Sequence, residues 1–141
     1  MVGEGLAIKP SNETVCAPVS GTIAVLMDAS KHAVGMKLSN GAEILIHVGL
    51  NTCKFIGEIF LPQVQAGDII RRGQLLLTFD ATEITRAGFD STTPIVVTNP
   101  ENFGDIVFAL GGRKIFAQRG EIFYAEKTHS FCMNAVITSD S

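Results

Sequence analysis

A chain of 141 residues with a net charge of −3 is long enough for one domain with its own core. Its slight acidity and lack of any Lys/Arg cluster exclude an electrostatic footprint for nucleic acid. Its apolar runs, such as Ile44-Leu45-Ile46, fall far short of the roughly 20 residues that span a bilayer.

Along the chain, Glu4, Lys9 and Glu13 interrupt the N-terminus before an apolar stretch forms, so no signal peptide is expected. Short apolar runs then alternate with turn signals, and helical stripes are few, which predicts an all-β sandwich or barrel. The expected strands are Gly5–Ile8, Thr22–Met27, His32–Leu38, Glu43–Val48, Gly57–Phe60, Leu75–Phe79, Ile95–Thr98, Ile106–Phe108, Arg113–Ala117 and Ile122–Ala125. Pro10-Ser11-Asn12, Asn40-Gly41, Ala66-Gly67-Asp68 and Asn99-Pro100 punctuate them. One helical segment is expected over Ala81–Ala87, closed by Gly88 as a C-cap. Residues 128–141 read as a tail in which Phe131, Met133, Val136 and Ile137 could add a strand. Cys16, Cys53 and Cys132 are odd in number and lack CxxC spacing, so they read as free thiols of a reducing cytosol.

The stretch KHAVGMKLSNGAEILIHVGL carries the most information. Asn40-Gly41 is a strong signal for a two-residue type I′ turn, whose central residues both need positive φ. That turn sets Ser39 opposite Ala42, Val34 opposite His47 and His32 opposite Gly49. Side chains alternate between faces. His32, Val34, Met36 and Leu38 then share a face with Glu43, Leu45, His47 and Gly49, while Ala33, Gly35, Ile44, Ile46, Val48 and Leu50 read as core. The two histidines become diagonal neighbours, roughly 7–8 Å apart at the backbone. Gly49 leaves room beside both rings.

Paired imidazoles have a distinctive chemistry. A neutral ring is a nucleophile near pH 7 and can attack phosphorus, while its neighbour hydrogen-bonds the phosphoryl oxygens. Ser30, close to His32, could fix the protonated nitrogen of that ring. Geometry leaves three readings open: structural histidines, a phosphoryl carrier, or zinc. Zinc needs at least one more ligand, and no HExxH motif supplies it.

MVGEGLAIKP, APVSGTI, KHAVGMKLSNGAEILIHVGLNT, GDIIRRGQLLLTFD and TTPIVVTN occur in the order and spacing of the glucose-type enzyme IIA domain, and the chain resembles that family over residues 1–127. This domain serves the bacterial phosphoenolpyruvate-dependent sugar phosphotransferase system. The resemblance implies an antiparallel β-sandwich or barrel-sandwich hybrid with short helical turns. It implies a phosphotransferase that needs no cofactor or metal. His47, in LIHVGL, matches the histidine that takes the phosphoryl group from the carrier protein HPr. His32, in KHAVG, matches the histidine that stabilises that group, and Ser30 stands where a hydroxyl residue orients the second ring. Met27, Val34, Leu45, Gly49, Asn51 and Cys53 fall on the surface that meets partners. The implied recipient is a cysteine of an enzyme IIB domain, and the implied location is the cytoplasm, peripheral to a membrane permease. Regulated permeases and metabolic enzymes are further implied partners. The sugar is set by the membrane and IIB partners.

Two departures stand out. Asn51 replaces a common aspartate of the negative rim that meets HPr, which is expected to slow association more than chemistry. The chain begins at MVGEG, where family members usually have a preceding segment that contributes a strand and part of the docking rim. A regulatory module that keeps the fold without passing phosphate is the competing reading. Biotinyl and lipoyl carriers share the APVSGTI…AGDIIRRGQLLLTFD pattern, but the hairpin turn lacks the lysine that would carry their cofactor.

Overall fold

The computed structural model describes residues 4–10, 13–26, 32–39, 41–49, 59–99, 106–110, 113–116, 122–128 and 134–137. Among these, strands dominate. They are β1 (Glu4–Pro10), β2 (Thr14–Cys16), β3 (Gly21–Leu26), β4 (Ala33–Lys37), β5 (Glu43–His47), β6 (Phe60–Pro62) and β7 (Ile69–Ile70). After them come β8 (Leu75–Phe79), helix α1 (Ala81–Arg86), β9 (Thr93–Val97), β10 (Ile106–Leu110), β11 (Arg113–Phe116), β12 (Ile122–Thr128) and β13 (Asn134–Ile137). The larger sheet has seven strands in the order β12-β1-β9-β5-β4-β3-β7. A second sheet is β2-β8-β6, and a third is β11-β10-β13. The all-β expectation therefore holds.

The first two sheets form a sandwich. Ile23, Val34, Met36, Ile44, Ile46, Ile95 and Val97 of the larger sheet share one buried cluster with Val15, Phe60, Leu77 and Phe79 of the smaller. Pairing is antiparallel except between β1 and β12, which run parallel. A parallel pair needs a long crossover, and the intervening chain supplies one. Helix α1 follows its sequence signals closely. Asp80 accepts a hydrogen bond from Glu83 N–H at the N-cap. Gly88 and Phe89 N–H close a Schellman motif onto the Thr85 and Ile84 carbonyls.

The β4–β5 hairpin corrects the expected register by one residue. Leu38 N–H donates to the Ala42 carbonyl, and Gly41 N–H donates to the Leu38 carbonyl. The loop therefore holds three residues, with Gly41 at φ 91° closing it. A type I turn followed by a left-handed residue has this form. Ala33 now faces His47, Val34 faces Ile46 and Met36 faces Ile44. Val34 and Met36 thus belong to the core, at 0% and 1% exposure, and not to the histidine face. Ala33 and Gly35, expected in the core, instead stand opposite His47 and Leu45 on the histidine face.

β2 and β7 were not expected, because runs of three and two residues carry almost no periodic signal. The expected strand over Gly57–Phe60 lies partly outside the described residues; the strand seen there is β6.

Met36→Ala should lower stability by about 2–5 kcal/mol, the range for truncating a fully buried Met. Urea unfolding checks this. A far smaller loss would return Met36 to an outward face.

Candidate functional site

β5 is a central strand, flanked by β4 and β9. Its residues alternate: Glu43 is exposed, Ile44 buried, Leu45 half-buried, Ile46 buried and His47 half-buried. The core takes the two isoleucines, so His47 emerges on the opposite face at the strand's end. Val48 N–H then donates to the His32 carbonyl, which holds the entrance to β4 against the exit of β5.

Gly49 follows with φ 81°, a backbone conformation that side chains other than hydrogen resist. Its carbonyl accepts a 2.7 Å hydrogen bond from the His47 Nδ1–H. A carbonyl can only accept, so Nδ1 carries the proton and Nε2 carries the lone pair in the neutral ring. The sequence implies room beside both rings at Gly49 and a place on the partner surface. Its backbone also sets the tautomer and tilt of His47.

The two imidazoles meet, with ring centroids 4.5 Å apart and planes at 75°. The corrected register alone would set them on opposite faces. His32 escapes that rule because it stands one residue before β4, where strand alternation no longer directs its side chain. Its ring is 7% exposed and also stands edge-to-face to Phe60 of the smaller sheet, at 6.3 Å and 63°.

Burial governs the electrostatics. It pushes His32 down to about 4, helped by the adjacent His47. Burial also lowers His47 from the ordinary 6.5, opposed by the Gly49 carbonyl, which favours a charged ring. Both rings are therefore neutral at pH 7.

Leu45 borders His47 on the same face, as expected. Val34 does not, because the register turns it into the core. Ser30, Met27, Asn51 and Cys53 lie outside the described residues. The sequence reading missed Val25, which is 43% exposed and sits opposite Gly35. A bulge at Ala24 shifts the β3 register and brings Val25 onto the histidine face. A Cβ at position 35 would lie 2.7 Å from Val25 Cγ1, so the glycine leaves space for the valine. Val25 and Leu45 thus add apolar surface to the face of the larger sheet that carries His47.

Among the described residues, no group of three or more His, Cys, Asp or Glu gathers in metal-binding reach. No helix there is long and apolar enough to cross a membrane.

The chain has clear relatives. A sequence model of the phosphoenolpyruvate-dependent sugar phosphotransferase system, EIIA 1, matches residues 1–103. The β-glucoside-specific EIIBCA component of Dickeya chrysanthemi is 44% identical over 113 residues, covering 80% of this chain but 18% of that protein. The glucose-specific EIIA component of Oceanobacillus iheyensis is 41% identical over 106 residues, covering 75% of this chain and 64% of the other. Both curated relatives are thus matched over less than two thirds of their own length. Among solved structures, the glucose permease IIA of Mycoplasma capricolum superposes with a TM-score of 0.65 at 29% identity, over 81% of this chain and 70% of that one. With its residues 1–103 matched and relatives above 40% identity, the chain belongs to the EIIA 1 family of the sugar phosphotransferase system.

Proposed function

We propose that this protein is a histidine phosphocarrier that accepts a phosphoryl group from phospho-HPr on His47. It then passes the group to a cysteine of an enzyme IIB domain during sugar uptake. The observation that carries this reading is the anchored imidazole: Nδ1–H held by the Gly49 carbonyl, with His32 against the same ring.

The residues divide the work as follows. The Nε2 lone pair attacks phosphorus. The Nε2–P bond forms as the bond from phosphorus to the donor breaks, and that electron pair leaves with the donor. The phosphorylated ring keeps its Nδ1 proton and gains positive character, which the Gly49 carbonyl dipole stabilises. An N–H of neutral His32 donates to a phosphoryl oxygen, and Ser30 orients His32. Val25 and Leu45 exclude water when a partner docks, so that these interactions act in a low dielectric. Transfer to IIB reverses the geometry with a thiolate as the attacking group. The protein works in the cytoplasm, beside the permease that it serves, and its contact surface extends to Met27, Gly49, Asn51 and Cys53. The domain occupies residues 1–127.

Incubation with phosphoenolpyruvate, enzyme I and HPr should add one phosphoryl group by intact mass. His47→Ala should gain none, and His32→Ala should accept the group but fail to hand it on. Wild type that stays unmodified at high HPr would instead make the face a binding surface of a regulatory module.

The low histidine pKa values also set a pH dependence. Because burial lowers the His47 pKa, acceptance should persist to a lower pH than an ordinary imidazole allows before it declines. His32 has a folded pKa beneath its unfolded value, so its neutral form contributes stability above about pH 6.5. That contribution is lost as pH falls toward about 4. Urea unfolding at pH 7 and pH 5 should show the loss, and His32→Gln should reduce it.

A further inference from the structure

His32 meets the smaller sheet at Phe60. Phe60 opens β6, is 2% exposed, and pairs with Phe79 of β8 in the wall opposite β4 and β5. Its ring stands edge-to-face to His32, which in turn stands edge-to-face to His47. His32 lies outside the regular part of β4, so no strand alternation directs its ring. The two ring contacts bear on its orientation, because edge-to-face packing constrains the angle of a ring as well as its distance.

We propose that Phe60 is a positioning residue for phosphoryl transfer, holding the His32 imidazole at the angle that keeps it against His47. This rests on the carrier reading above. The aromatic wall also keeps water from His32, in keeping with its low pKa. Its titratable neighbour among the described rings is His47. Acceptance from HPr requires only the His47 nucleophile, so the loss of Phe60 should fall on the later step, in which His32 steadies the departing group.

The test compares Phe60→Leu with Phe79→Leu in the full chain. Phe79 is its register partner and is equally buried, at 3% exposure. Urea midpoints report the structural loss in each. Phe60→Leu should raise the His32 pKa by NMR titration. It should also slow transfer to IIB roughly 10- to 100-fold, the scale of a small misplacement at a reacting centre, with acceptance from HPr within about threefold. Phe79→Leu, at similar destabilisation, should change neither. Unaltered His32 titration in folded Phe60→Leu overturns the proposal, as do equal transfer defects in both variants. If wild type accepts no phosphoryl group, the carrier reading fails by itself, and the titration still decides whether Phe60 positions His32.

Discussion

Ala33 stands opposite His47 on the neighbouring strand, and that pairing determines which face of the larger sheet is core and which is reactive. Shifting it by one residue would bury His47 and expose Ile44 and Ile46, whose side chains fill the sandwich. The shift is opposed from both ends of the hairpin. At one end the three-residue loop closes through Leu38, Gly41 and Ala42; at the other, Val48 N–H is tied to the His32 carbonyl. His47 thus rides on a central strand with its register locked twice, which holds its ring in one geometry.

The chemistry follows from burial joined to a backbone acceptor. Burial keeps both imidazoles neutral and therefore nucleophilic, while the Gly49 carbonyl is placed to favour positive charge on His47 once Nε2 is substituted. These opposing influences leave the ring neutral at pH 7 yet able to carry positive charge once Nε2 is substituted.

Much of this was legible in the sequence, and the exceptions share a cause. Asp80, Glu83 and Gly88 announce α1 through local backbone chemistry, and the structure follows them. The histidine pair was legible from KHAVG and LIHVGL, although through the wrong register. Ser39-Asn40-Gly41 suits a two- or a three-residue loop, because either can end on a glycine with positive φ. Val25 was hidden by the bulge at Ala24, which no alternation pattern reveals. Gly49 was read as a missing side chain when its carbonyl was the functional group. The signal for it was present: a glycine two residues beyond a histidine at a strand end can turn its backbone toward the ring.

The central claim is that the phosphoryl group sits on Nε2 of His47 while Nδ1 keeps its proton. A long-range proton–nitrogen correlation spectrum of the phosphorylated protein tests it most directly. The expected spectrum shows a phosphorylated Nε2 and a protonated Nδ1 on His47, with His32 unmodified. Phosphate on Nδ1, or on His32, would contradict it, because the Gly49 carbonyl could not then be the group that orients the nucleophile.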